Sequence, residues 1–428
     1  MFERFFKLSE HGTDVKTEIL AGFTTFLTMS YIIFVNPDIL STTGMDRDAI
    51  FVATCLAAVV GTFVMAFVAN WPIGMAPGMG LNAFFAFTVV AAMGYTWQQA
   101  LGAVFISGVI FLILTVSGVR SWIVQGIPRS LQSAIAAGIG LFLGLIALTS
   151  SQIVVSNPAT NVGLGDLTSH QALYAILGFL IIASLDALRV RGAILIGILV
   201  VTLLSIFIGH SEFQGIVSMP PSLAPTFLQL DIMGALSMGL AHVILVLVLV
   251  EVFDATGTMI GVAKRAKLIE EGKPNRLGRA LFADSTAIVT GSLIGTSSTT
   301  AYVESASGVQ AGGRTGLTAL TIGIFFLLAL FFSPLAGVVP SYATAPALLY
   351  VAGLMLREVS EIEWADVTEA APAALTALAM PFTYSIANGL AFGFISYVAI
   401  KLITGRFRDL HPATVIVALL FVAKYAFE

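Results

Sequence analysis

The chain has 428 residues, of which 57% are hydrophobic and only 10% are charged, whereas a soluble domain carries about 25% charged residues. Apolar segments recur along nearly the whole length, so the composition excludes a large soluble domain and predicts an all-α polytopic membrane protein. The single cysteine excludes an internal disulfide and a thiolate metal cluster, and the five histidines lack ligand spacing. The net charge of -4 says little by itself, and nothing in the sequence suggests nucleic-acid binding.

The apolar segments predict fourteen membrane spans, each about long enough to cross a hydrocarbon layer of about 30 Å. In chain order they cover residues 18–38, 49–69, 73–93, 98–118, 129–149, 170–188, 191–209, 232–262, 278–295, 297–311, 315–333, 342–357, 371–386 and 387–404. A further apolar piece, residues 412–427, is either a short span or an interfacial helix.

The distribution of basic residues predicts how the chain is oriented. With the amino terminus inside, the inner loops are rich in Lys and Arg, and residues 264–279 alone hold six of them. The predicted outer loops 150–169, 210–231 and 334–341 contain none. By the positive-inside rule, we expect a multi-pass plasma-membrane protein with a cytoplasmic amino terminus, in the inner membrane if the source is Gram-negative.

The third and tenth spans are predicted to be broken. Residues 72–80 contain two prolines and three glycines, which cannot form a regular helix. Residues 295–300 contain a Ser/Thr run that competes for backbone hydrogen bonds. The two spans are seven apart, so they cross in opposite directions. This pattern is typical of a 7+7 inverted repeat whose broken spans contain short extended segments and meet at the midplane.

Two acids lie in the eighth span. Glu251 follows eight consecutive apolar residues and precedes Lys264 by thirteen, which places it about 20 Å from the inner boundary. Asp254 is one helical turn further on the same face. A charge at this depth is costly and usually functional, so we expect a substrate acceptor or a proton carrier. The alternative is a carboxylate tied to a neighbouring helix.

Four more candidates flank the two breaks. Glu304 is expected to accept ligand N–H groups, or else to cap the broken helix. Asn82 either binds ligand or caps the helix of the third span. Phe84 and Tyr302 either stack on a planar ligand or pack in the core.

Two other acids are predicted to be structural. Asp284 lies five residues past Arg279 near the membrane interface, which favours a pairing role. Asp186 lies three residues before Arg189, which favours an interfacial pair.

Three segments together resemble one family. They are Gly78–Phe85, Glu251–Thr258 and Gly295–Ser305, and the likeness extends to residues 18–38, 312–316 and 380–385. In these motifs the chain resembles the AzgA-like branch of the nucleobase–cation symporter-2 (nucleobase–ascorbate) permeases. The resemblance implies a homodimer that imports purine bases such as hypoxanthine, guanine or adenine with a proton. It implies no cofactor and no metal.

The resemblance also implies a core domain that moves against a gate domain, as in an elevator. By position, residues 1–118 and 232–333 form the two parts of the core, and residues 119–231 and 334–428 form the two parts of the gate. The family's binding residues correspond to Asn82, Glu251 and Glu304, with Asp254 a supporting or proton-linked acid. Backbone near Phe84 and Val303 is expected to meet the bound base. Relatives often carry Asp at the position of Glu251.

Other functions remain as alternatives. An anion transporter of the same fold is disfavoured because two buried carboxylates repel an anion and no Lys or Arg is predicted in the core. A channel would show uptake without saturation or coupling, and a purine-binding membrane receptor would bind purine without moving it. The sequence contains no nucleophile–base constellation, metal spacing or phosphate loop, so we do not expect an enzyme.

Overall fold

The computed structural model describes residues 2–213, 215–236, 238–269 and 276–427, except for the side chains of residues 121, 124, 125, 238–240, 253, 254 and 427. Within this part the chain is mostly helical. Its first half forms α1 (Phe2–Phe6), α2 (Val15–Met29), α3 (Ile32–Ser41), α4 (Arg47–Val64), β1 (Met75–Pro77), α5 (Met79–Ala83), α6 (Trp97–Val116), α7 (Val119–Gly126), α8 (Arg129–Ser150), β2 (Val154–Asn157), β3 (Asn161–Leu164), α9 (His170–Ala187) and α10 (Ala193–Ile208).

The second half is also mostly helical and contains one short strand. It forms α11 (Ile232–Ala235), α12 (Met238–Arg265), α13 (Leu277–Ile294), β4 (Thr299–Ala301), α14 (Ser305–Gln310), α15 (Gly316–Ala329), α16 (Ser333–Val338), α17 (Ser341–Met355), α18 (Val367–Phe382), α19 (Ile386–Ile403) and α20 (Pro412–Phe427). Two helices continue as π-helix, α4 over Met65–Ala69 and α5 over Phe84–Ala92.

The predicted apolar segments coincide with these helices. Among the described residues, eight helical segments are long and apolar enough to cross a membrane. They are Val15–Ser41, Arg47–Ala69, Trp97–Val116, Arg129–Ser150, His170–Ala187, Ala241–Arg265, Gly316–Val338 and Ile386–Ile403. The remaining predicted spans correspond to shorter helices or, for residues 278–295, to the 18-residue helix α13, which is not among these eight; the count of fourteen stays a prediction. Residues 412–427, left open by the sequence, form the helix α20.

Helix packing falls into two groups. In one, α13 packs on α4 and α6, and α15 packs on α2 and α4. In the other, α8 packs on α17 and α18, while α9 packs on α10 and α17. The first group contains the elements assigned to the core from the sequence and the second those assigned to the gate. The helix α12, which carries Glu251, packs on α6 and also contacts α19 of the second group.

A buried carboxylate fastens the first span to α15. Glu18 is fully buried and accepts hydrogen bonds from the backbone N–H groups of Arg314 at 2.8 Å and Thr318 at 3.1 Å. The Thr318 hydroxyl donates to the same carboxylate at 2.6 Å. The amino terminus of a helix carries unpaired N–H groups and a positive dipole, so an acid is stabilising there. This contact places the first span against the second half of the chain.

One structural feature of the predicted outer loops was not expected from the sequence. Residues 150–169 contain a two-stranded hairpin in which β2 pairs with β3 from Val154↔Leu164 to Asn157↔Asn161. Asn161 has a φ of 65°, a left-handed conformation that asparagine tolerates better than most residues. The alternation of apolar and polar residues in this segment is short and follows a long apolar helix, so the sequence pattern did not indicate strands.

Candidate functional site

The two segments predicted to break their spans pair with each other. The strands β1 and β4 run antiparallel, with Met75 opposite Ala301 and Pro77 opposite Thr299. The ladder is extended by the N–H of Gly78, which donates to Ser298 O at 2.9 Å. Buried backbone groups need partners, and Pro and Gly prevent a regular helix here, so each segment satisfies the other. The pairing brings the two halves of the chain together at this point.

A helix follows each strand within a few residues. The helix α5 begins at Met79 with Gly78 as its N-cap, and it runs on as π-helix to Ala92. The helix α14 begins at Ser305. Because the strands are antiparallel, the two helices leave the pair in opposite senses. The suggestion that Asn82 is the N-cap is wrong, since its own N–H already donates to Gly78 O at 2.9 Å inside the helix.

Asn82 lies in a buried hydrogen-bond network. Its amide nitrogen donates to Oδ1 of Asn36 at 2.6 Å, and its amide oxygen accepts from the Ser297 hydroxyl. Asn36 in turn donates to Thr54 at 2.7 Å and to Thr296 at 2.9 Å. Asn36 and Asn82 are fully buried. The network joins the first and second spans to both broken segments and fixes the direction of the Asn82 amide.

Glu251 lies on α12 and is fully buried. Its Oε1 accepts hydrogen bonds from the Ser298 hydroxyl at 2.7 Å and from the Ser107 hydroxyl at 3.3 Å. Its Oε2 is also buried, and no described residue hydrogen-bonds to it. An unpaired buried acceptor is costly, which makes this oxygen a strong acceptor for an incoming donor.

Glu304 occupies the turn between β4 and α14 and is half-buried. Its Oε1 accepts a hydrogen bond of 2.5 Å from the hydroxyl of Tyr31, which lies between α2 and α3. The Ser307 hydroxyl donates to the backbone oxygen of Glu304 at 2.7 Å. The carboxylate is therefore held at the end of the paired strands, six residues after the serine that contacts Glu251.

The remaining predicted residues surround the same strands. Phe84 is 1% exposed, at the start of the π-helical stretch. Tyr302 is buried, and its hydroxyl donates to Pro77 O at 2.5 Å. The side chain of Val303 is 58% exposed. Asp254 lies on α12, but its side chain is outside the described residues.

A buried ion pair corrects one expectation. Asp284 does pair with a cation, but that cation is Arg120, whose Nη2 lies 3.2 Å from Oδ2 of the acid. Arg120 is 1% exposed and also donates to the Thr256 hydroxyl at 3.0 Å. The prediction that no Lys or Arg enters the core is therefore wrong. Arg120 falls in the predicted inner loop between the spans 98–118 and 129–149, and its side chain reaches between α12 and α13.

Asp186 also differs from expectation. Its Oδ2 accepts a hydrogen bond of 2.5 Å from the hydroxyl of Tyr350, and the predicted partner Arg189 has a left-handed φ of 58° just past the helix end. A contact across helices thus replaces the local pair that the spacing favoured.

Several site residues were missed by sequence reasoning. Tyr31 and Asn36 belong to the first span, and Ser107 to the fourth; each holds a predicted ligand residue. The available signal was the presence of polar side chains in a membrane-length apolar segment, because such residues usually face protein and bond across helices.

Comparison with known proteins places this geometry in context. A family model described as Permease family matches residues 16–392. The chain is 53% identical to the adenine permease AdeP of Escherichia coli K12 over 100% of this chain and 96% of the relative. It is 44% identical to the guanine/hypoxanthine permease PbuO of Bacillus subtilis over 97% of this chain and 98% of the relative.

A solved structure shares the fold. The transmembrane domain of the cyanobacterial bicarbonate transporter BicA superposes with a TM-score of 0.67 at 16% identity, covering 87% of this chain and 97% of that one. At this identity the likeness concerns architecture alone.

Proposed function

This chain belongs to the permease family and is a multi-pass membrane transporter rather than an enzyme, and we propose that it carries purine nucleobases. The names of its relatives support this substrate class. Adenine comes first among the candidate bases because the adenine permease is the more similar of the two relatives, followed by hypoxanthine and guanine.

The arrangement around Glu251 carries the proposal. Its Oε2 is buried without a described hydrogen-bond partner, directly beside the paired strands. A purine is planar and presents ring N–H donors along its edge, and a carboxylate is an acceptor-only group when ionised. Glu304 supplies a second carboxylate beyond β4. We place the base between these acids, with Asn82, Phe84, Tyr302 and the backbone of Val303 around it.

We further propose that transport is coupled to protons. A proton neutralises Glu251, or Glu251 together with Asp254, and so lowers the cost of moving the site past an apolar barrier. The purine then donates to Oε2 of Glu251, a buried acceptor to which no described residue hydrogen-bonds and whose lack of a partner costs about 1–3 kcal/mol. Binding of the proton and the purine together therefore favours the change of the transporter to its inward-facing state.

The moving parts in this proposal are the two helix groups. The core, residues 1–118 and 232–333, carries the strand pair and slides against the gate, residues 119–231 and 334–428. The antiparallel strands with helices leaving in opposite senses support a 7+7 inverted repeat of fourteen spans. A homodimer in the plasma membrane, with a cytoplasmic amino terminus, completes the proposal.

An anion transporter is less well supported. Two carboxylates near the strands repel an anion, and the one deeply buried arginine described above is already paired with Asp284. A purine-binding receptor would share the site but would not move its ligand.

The decisive experiment is uptake into proteoliposomes that contain the purified protein. Radiolabelled adenine and hypoxanthine are supplied with and without an inward proton gradient, and unlabelled adenine, guanine, xanthine, uracil and bicarbonate are tested as competitors. Saturable purine uptake that a protonophore reduces supports the proposal. Binding without uptake would indicate a receptor, non-saturable flux a channel, and uptake indifferent to the protonophore would remove the coupling.

A further inference from the structure

We propose that Tyr31 is a positioning residue for the substrate site, holding the Glu304 carboxylate in the orientation that receives a purine N–H. This inference rests on the proposed function and adds a residue from the first span to it.

The geometry around Tyr31 is well defined. The ring is fully buried, and its hydroxyl donates to Oε1 of Glu304 at 2.5 Å. Tyr31 lies where the first span is interrupted, after α2 ends at Met29 and before α3 begins at Ile32. Its carbonyl accepts from the N–H of Val35 at 3.0 Å, so the backbone at the interruption is itself anchored.

A second contact distinguishes two possible roles of Tyr31, which are orienting the Glu304 carboxylate and holding α2 against α14. The hydroxyls of Thr28 and Ser307 lie 3.0 Å apart, so α2 is already tied to α14 without Tyr31. The Tyr31 hydroxyl instead reaches the carboxylate itself. A hydrogen bond to a charged group is short and directional, and it restricts a side chain that has three torsions to lose. Fixing the acceptor before the ligand arrives reduces the ordering cost of binding.

The same span holds the other half of the site. Asn36 accepts from the Asn82 amide, five residues after Tyr31. One interrupted span therefore directs a predicted ligand residue from each broken segment. Of the two predicted ligand residues, Tyr31 contacts the charged one, Glu304. A change in the orientation of a charged acceptor weakens its hydrogen bond to an N–H donor more than the same change in a neutral acceptor does.

The test compares Y31F with two controls in adenine competition. Y397F removes the hydroxyl of another buried tyrosine. Tyr397 lies on α19, and its hydroxyl donates to Oε1 of Glu369 on α18 at 3.1 Å, away from the strand pair. T28A removes the Thr28–Ser307 contact. We expect Y31F to raise the Ki of adenine about tenfold, which corresponds to about 1.4 kcal/mol, while both controls stay within about twofold of wild type. The Ki does not depend on the amount of inserted protein, so poor expression leaves the test valid.

A double-mutant cycle adds a readout that a structural role would not move. E304D shortens the acceptor and withdraws it from the Tyr31 hydroxyl, so adding Y31F to E304D is expected to change the Ki by less than about twofold. Equal effects of Y31F in both backgrounds, or a Ki of Y31F like that of Y397F, would overturn the inference. Wild-type protein that ignores adenine and hypoxanthine would instead refute the proposed function.

Discussion

The hydroxyl of Ser298 donates to Oε1 of Glu251 at 2.7 Å, and the residue before it, Ser297, donates to Asn82. One dipeptide therefore contacts predicted ligand residues from two different spans, immediately before β4 begins. The Ser/Thr run does more than interrupt a helix, since its side chains also orient the acids and amides around it.

Ser298→Ala should weaken purine binding. It removes the shorter of the two hydrogen bonds to Oε1 of Glu251 and leaves only that from Ser107 at 3.3 Å. Losing a partner of a buried charged acceptor costs about 1–3 kcal/mol, so we expect the Kd of adenine to rise between about fivefold and 150-fold. Equilibrium binding of radiolabelled adenine to purified protein measures this.

Ser292→Ala is the matched control. Ser292 is also fully buried, on α13, but its hydroxyl donates to the Val289 carbonyl within its own helix. Its removal should leave the Kd within about twofold of wild type. Equal losses in both variants would show that the Ser298 effect is a general packing defect.

Much of the fold could be predicted because the signals were local. Apolar length marked the helices, and Pro and Gly near Pro77 marked a break. The Ser/Thr run marked the other. The sequence could not show that these two breaks pair, because Met75 and Ala301 are distant in the chain and their partnership depends on tertiary packing.

The candidate site could be proposed from the sequence because burying a charge is costly. Glu251 and Glu304 became candidates because acids are rare at membrane depth. Their partners were not, since Ser107 and Tyr31 are common residue types whose roles depend on which helices meet. Arg120 was misplaced for the same reason: a residue just past a span end can fold back between helices, and linear position does not reveal its direction.

Asn36→Ala should destabilise the protein. It leaves the Asn82 amide without its acceptor and removes the donor to Thr54 and Thr296. Each buried group left unsatisfied costs about 1–3 kcal/mol, so we expect a clear fall in Tm together with weaker adenine binding. Asn388→Ala is the control, because the hydrogen bond that its side-chain oxygen accepts from the Tyr425 hydroxyl lies at the exposed surface. A Tm of N36A equal to that of N388A would contradict a structural network.

Glu251→Gln should uncouple transport from protons. A glutamine amide cannot take up a proton, so the site keeps one charge state in both orientations. We expect adenine to equilibrate across the proteoliposome membrane without accumulating, and a protonophore to have no effect on the rate. Accumulation driven by the gradient in E251Q would assign the proton to another group.

Glu304→Gln should weaken adenine binding but leave proton coupling intact. An amide is a weaker acceptor than a carboxylate, and a hydrogen bond to a charged group contributes about 1.5–3 kcal/mol, so the Kd of adenine should rise at least tenfold. Any residual transport should remain sensitive to the protonophore. If E304Q lost coupling but kept affinity, the roles assigned to the two acids would have to be exchanged.

The N-cap of α18 is an acid whose ionisation should affect stability at low pH. Asp366 caps α18; hydrogen bonds from the Thr368 hydroxyl and N–H, together with Arg406, lower the pKa of Asp366 to about 2. Because this pKa is below the unfolded value of about 3.9, the stabilisation is present above about pH 4 and is lost as the pH falls toward 2. Asp366→Asn keeps an oxygen for the cap but removes the charge. We therefore expect the Tm of wild type to exceed that of D366N at neutral pH and the difference to shrink below about pH 4. A Tm difference that stays constant down to about pH 3 would indicate that the charge on Asp366 contributes nothing.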